Sequence, residues 1–194
     1  MNMTSSQLLS EIKGITHANI EVTRKKFFHL SDEQKKWRPN MESWNLLEIF
    51  AHLNEYTRFY NSTFLKKIQS TKFRTPTENF VSSPLGRSAW SSMKLGNAKN
   101  VKRKFRALRA FNPTINPGLM QEQDIQRFCD LQHDFLAIID SAASINIRKA
   151  KVHTSMSKII KLRLGDALLF ASYHNERHLQ QALNILNNKQ FPKK

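Results

Sequence analysis

One cysteine, Cys129, stands in a chain of 194 residues. A lone thiol excludes an intramolecular disulfide and any thiolate-rich zinc cluster, and it suits a reducing cytoplasm. A metal, if one is bound, is held by nitrogen or oxygen. No uninterrupted apolar run approaches membrane-spanning length, and the opening MNMTSSQLLSEIKGITHANIEV lacks a basic stretch followed by a long apolar core. No membrane partner and a cytoplasmic location are therefore expected. Among only five glycines there is no phosphate-cradling loop, and no Ser-His-Asp order appears. Internal repeats and low-complexity tracts are also missing, which removes solenoids and arrays. Acidic residues are scarce, fifteen against thirty-one Lys and Arg, for a formal charge of +16. Such a field draws anions from small carboxylates to nucleic acid, and charge alone does not choose among them.

What is present is an ordinary folding composition, 40% hydrophobic and 24% charged, long enough to bury a core without staples. Residues 1–194 are expected to form one domain. From Thr4 to about His29, Leu8, Ile12, Ile15 and Val22 recur on one helical face behind the capping candidates Thr4, Ser5 and Ser6. A connecting stretch follows, in which Ser31 or Asp32 can cap a short turn and Pro39 stops any continuing helix. Ser43 opens a second helix, with Leu46, Ile49, Phe50, Leu53, Tyr60, Phe64 and Ile68 on one broad apolar face. Four prolines break the pattern over residues 72–118, a long crossover in which GRSAWSSMKL can form a short helix; the basic NAKNVKRKFRALRAF has no assigned state. The third helix is expected from about Met120 to Ala143. The β-branched, basic SINIRKAKVHTSMSKIIKLRL reads as an irregular or partly extended connection, before Gly165 and Asp166 introduce a last helix to about Asn187. Four long helices and one long crossover give an all-α four-helix bundle, the crossover lying between helices two and three.

YHNERHLQQAL, residues 173–183, sets His174 and His178 four positions apart, about 6 Å at Cβ and close enough to grip one ion. Their row continues through Ala167, Ala171, Ala182 and Ile185, so both rings point inward. Two ligands do not make a site, and each ring can instead be a half-buried histidine with a hydrogen-bond partner. A third ligand is sought among the other histidines, where His52 shares the row of Ile49, Tyr56 and Phe59. Three nitrogens and an open position match a catalytic-type metal site. His17 and His29 read as solvent-facing or capping groups, His153 sits in a connection, and His133 shares a row with Cys129 and Asp140, either as a fourth ligand or as the flank of a packed helix. Cys129 has no context that marks an activated nucleophile and reads as a buried, inert thiol.

LSDEQKKWRPNMESWNLLEIFAHLNEY, with WRP, then SW, then HL, resembles the loop into helix two of the DinB-like (DinB/YfiT-type) family. YHNERHLQQALNIL resembles the family's last-helix signature, and PLGRSAWSSMKLG and FNPTINP loosely resemble its variable middle. The resemblance covers most of the chain. It implies a four-helix bundle binding a divalent metal, zinc or nickel, through His52, His174 and His178. It also implies a homodimer, and relatives that are transferases or isomerases using low-molecular-weight thiols such as bacillithiol, mycothiol or glutathione.

The expected function is thus a thiol-dependent S-transferase or related metal-dependent enzyme, a hydrolase included, acting on a small-molecule substrate, an anionic one among the candidates. Gln181, on the face of His174, is expected to orient a bound ligand or a metal water, or else to be a polar residue at the pocket rim. Glu48 and Glu55 flank His52 within reach of its second ring nitrogen, as outer partners or as solvated helix residues. Tyr56 and Arg177 are weaker candidates for contact with an anionic substrate. The alternatives are a non-catalytic dimeric stress or interaction bundle and, behind it, a nucleic-acid-binding protein using KNVKRKFRALR within the basic segment 94–109, where Phe105 stands among cations.

Overall fold

A computed structural model describes residues 2–96 and 106–193. The elements are β1 (Asn2–Thr4), α1 (Ser5–Phe27), α2 (Asp32–Lys36), α3 (Leu46–Ser70), β2 (Asn79–Val81), α4 (Pro84–Met93), α5 (Asp124–Ala142), β3 (Lys151–His153), β4 (Lys161–Arg163) and α6 (Leu164–Leu186). Two short 3-10 turns, Arg109–Phe111 and Pro117–Leu119, lie in the crossover between α4 and α5.

Capping chemistry sets the starts of the helices. Thr4 and Gln7 form a reciprocal capping box at α1, Ser31 and Gln34 at α2, and Asn45 and Glu48 at α3. The last box moves the start of the second long helix from the expected Ser43 to Leu46, because Asn45, not Ser43, supplies the capping oxygen. Ser83 caps α4, with Pro84 at the first helical position, where its missing N–H costs nothing. The third long helix begins at Asp124 rather than near Met120. The Asp124 carboxylate accepts from the Gln121 N–H at 2.8 Å and from Asn54 Nδ2 at 2.9 Å, tying the start of α5 to α3. No side chain caps α6; the Leu164 and Gly165 N–H groups donate to the carbonyls of Ala150 and Ile147.

Helices α1 and α3 each pack against both α5 and α6, which places them across a diagonal of a four-helix bundle, while α4 covers the outer side of α6. This is the expected all-α bundle. The strands were not all foreseen. β1 pairs antiparallel with β2, Met3 opposite Phe80, and β3 with β4, Val152 opposite Leu162, so the connection before α6, expected to be irregular or partly extended, contains a hairpin. The crossover carries the short helix expected from GRSAWSSMKL. Of NAKNVKRKFRALRAF, residues 97–105, Phe105 included, lie outside the described residues.

The buried apolar side chains form two clusters. One contains Phe27, Leu46, Phe50, Phe128 and Leu179; the other contains Leu8, Ile12, Phe64, Phe135, Leu168 and Tyr173. Along α3 the change of cluster falls between Leu53 and Tyr56, and along α6 between Tyr173 and Leu179. In or beside those intervals the chain buries polar groups, among them His52, Asn54, His174 and Asn175. The bundle therefore has a polar middle section, which is where its chemistry is concentrated.

Candidate metal centre

His52 from α3 and His174 and His178 from α6 converge in that section: one ring nitrogen from each lies within 4.8 Å of the other two. Their ring centroids are 4.6–5.3 Å apart. Helical geometry accounts for the pairing. Positions 174 and 178 stack one turn apart on α6, and packing of α3 against α6 brings the inward row of Ile49, His52 and Tyr56 opposite them. His52 and His174 are 2% and 6% exposed, while His178 is half-buried and leads the cluster toward solvent.

The rings are oriented from behind. His52 Nδ1–H donates to the carbonyl of Phe111 at 2.6 Å, and His178 Nδ1–H donates to Gln181 Oε1 at 3.0 Å. Each bond fixes the tautomer, leaving the lone pair on Nε2. Beside His174, Asn175 Nδ2 donates to Gln132 Oε1 at 3.3 Å and Asn175 Oδ1 accepts from the Thr57 hydroxyl at 3.5 Å. Aromatic rings complete the walls. Tyr56 stacks on His174 at 4.4 Å, and Trp44 lies 4.9 Å from His52 and 6.2 Å from His178. Trp44 is held by its indole N–H, which donates to Thr114 at 2.9 Å.

Burial lowers the pKa of His52 to about 4, against a weaker opposing effect of its bond to Phe111. His174 and His178 are held well below the ordinary imidazole value, again by burial first and then by neighbouring histidines, with the Arg177 charge acting the same way on both. All three rings are neutral at pH 7. A set of three neutral nitrogen donors, with no carboxylate among them, fits a borderline-soft divalent cation and supplies three of the four ligands of a tetrahedral site.

The remaining expected residues are placed as follows. Gln181 touches His178. Glu48 and Glu55 do not reach His52: Glu48 accepts from the Asn45 N–H and pairs with Arg38 at 3.3 Å, and Glu55 pairs with Arg58 at 3.1 Å. The outer partner of His52 is instead the Phe111 carbonyl, which no side-chain pattern can announce. Tyr56 is part of the wall, and burial raises its hydroxyl pKa. Arg177 is buried beside the histidines rather than on the surface. His133 is exposed, 3.3 Å from Arg24, and is not a fourth ligand; His17 and His29 are exposed, and His153 packs on Phe59. Cys129 is fully buried and its pKa is pushed up to about 11 by that burial, so the thiol stays protonated at neutral pH.

A helical bundle with a three-histidine centre between its helices defines a class of candidate metalloproteins. The family model of the DinB superfamily matches residues 16–182, and the chain belongs to that superfamily. No curated protein and no solved structure gives a significant match. Among the described residues no helix is long and apolar enough to cross a membrane.

Proposed function

We propose that the chain is a metal-dependent enzyme, a thiol-dependent S-transferase or a close chemical relative such as a hydrolase, with His52, His174 and His178 holding one divalent cation. The observation that carries this reading is the convergence of three neutral imidazoles, two of which, His52 and His178, have their outer nitrogens already engaged. A divalent cation held by these residues would supply Lewis acidity, which lowers the pKa of a thiol or a water beside it.

The chain's own groups have separate tasks. Phe111 and Gln181 hold the rings of His52 and His178 in the binding tautomer. Trp44 and Tyr56 exclude water from the inner side of the centre, which strengthens every charge interaction within it. The Tyr56 hydroxyl, kept protonated by burial, is a hydrogen-bond donor toward a developing anion. A low-molecular-weight thiol and a small electrophile are the reactants this arrangement suits, with the half-buried side at His178 as the way in.

The test begins with elemental analysis of protein purified without a histidine-rich tag. One equivalent of a transition metal is expected, falling to background in His52→Ala while the helical circular dichroism persists. A variant that keeps its metal would sink the three-histidine assignment. Loaded protein is then assayed with thiol–electrophile pairs and a panel of esters and amides. Turnover that disappears with the metal is expected, and a fully loaded but inert protein would overturn the enzymatic reading while leaving the metal site standing.

A further inference from the structure

The β3–β4 hairpin carries an unusual surface. Between Asp140 and Asp166 the chain has no acidic residue and six basic ones, Arg148, Lys149, Lys151, Lys158, Lys161 and Arg163. None of the six forms an ion pair among the described residues. Like charges even stand directly opposite in the ladder, Lys151 against Arg163, an arrangement that destabilises an isolated hairpin. At the tip, three large apolar side chains project outward: Met156 is 75% exposed, Ile159 90% and Ile160 44%. Elsewhere the exposed large apolar residues of the described chain occur singly along the sequence.

The root of the hairpin is anchored. Val152 and Leu162 are buried in the core, the Thr154 N–H donates to the Ile160 carbonyl at 3.1 Å, and the Ser155 N–H donates to the Tyr60 hydroxyl at 3.4 Å. A fixed stem therefore presents an apolar tip beside Lys158 and Lys161, with the other four cations toward its base.

We propose that this hairpin docks on an anionic phospholipid bilayer, with Met156, Ile159 and Ile160 entering the headgroup–acyl boundary and the flanking Lys158 and Lys161 facing lipid phosphates and carboxylates. Each half of the surface argues against another occupant. A second copy docked tip to tip would bring Lys158 and Lys161 of both copies together. Nucleic acid would meet the cations but leave the apolar tip in water. An anionic bilayer satisfies both at once, the combination by which interfacial segments bind. The absence of a crossing helix bears on spanning the membrane and not on this contact. The proposal is also independent of the histidine centre, since it concerns binding alone.

Co-sedimentation of the full chain with phosphatidylcholine vesicles, with and without phosphatidylserine, tests it. Binding is expected to be about tenfold or more tighter on the anionic vesicles and to weaken as salt rises. Replacing Lys158→Glu and Lys161→Glu together lowers it by about tenfold, and Met156→Asp with Ile159→Asp does so by a similar factor. Circular dichroism checks the fold of each, and Ile159→Ser serves if the double aspartate variant does not fold. No binding, equal binding to both vesicle types, or binding untouched by loss of the apolar tip overturns the proposal. Preference for duplex DNA over anionic vesicles at equal salt overturns it in favour of nucleic acid, and a light-scattering dimer dissociated by Ile159→Ser does so in favour of self-association.

Discussion

At the residue scale the centre depends as much on what stands behind the histidines as on the imidazoles. A free histidine distributes its proton between two nitrogens; one whose Nδ1–H is bonded to a fixed acceptor offers Nε2 without rearrangement. For His52 the acceptor is a backbone carbonyl, beyond the reach of side-chain mutation, so Gln181 is the informative position. Replacing Gln181→Leu removes the acceptor, leaves the His178 N–H without its partner and frees the ring to turn. Affinity for zinc, measured by competition with a chromophoric chelator, is expected to fall by about 10- to 100-fold, the usual effect of losing such an outer partner. Gln181→Glu, which keeps an accepting oxygen, is expected to retain most of the affinity. Equal losses in both variants would mean that Gln181 does not act through its carbonyl.

At the element scale the polar section is held by close contacts between helices. α4 and β2 lie against the first turn of α6 because two glycines permit it. A Cβ on Gly86 would overlap the side chain of Asp166, and one on Gly165 would overlap the ring of Phe80. Asp166 is fully buried, and its Oδ2 accepts from the N–H and hydroxyl of Ser83, both at 3.0 Å, so it cannot move aside without uncapping α4. Gly86→Ala is accordingly expected to destabilise the chain by about 1–3 kcal/mol despite the better helix propensity of alanine, as denaturant unfolding would reveal. The long helices and the inward row of α6 were legible in the sequence because their apolar residues keep the helical period over several turns, and the histidine trio because His52 and His174 interrupt those rows. The starts of α3 and α5 were not, since Ser43 and Asn45 are both good caps and only the reciprocal bond to Glu48 decides between them. The β1–β2 pair was hidden because three-residue strands leave no period to detect. The crossover's contribution, the Phe111 carbonyl and the Thr114 hydroxyl that holds Trp44, depends on tertiary placement alone.

At the scale of the whole molecule, burying three imidazoles must make stability depend on pH. In the unfolded chain each titrates near 6.5, whereas in the fold His52 does so at about 4 and the other two are also strongly lowered. Between these limits the unfolded state binds protons that the folded state refuses, so the contribution is fully present above pH 6.5 and is lost as pH falls through the window. For His52 alone the loss amounts to about 3 kcal/mol by pH 4, a large part of the stability of an ordinary domain. Asp124 works in the opposite direction: burial raises its carboxyl pKa, which favours the fold at low pH, but it is one group against three. A chain of formal charge +16 also repels itself more strongly as its carboxylates are neutralised, and this second route to acid unfolding is screened by salt, whereas the exclusion of protons from buried rings is not. Urea unfolding of metal-free protein from pH 7.5 to 4.5, at low and at high salt, separates the two. A steep loss of stability below pH 6.5 is expected to persist at high salt and to become shallower in His52→Leu, by up to one proton, about 1.4 kcal/mol per pH unit. A profile flattened by salt alone and indifferent to that substitution would assign the acid sensitivity to surface charge, and would mean that the histidines are not buried neutral in the folded chain.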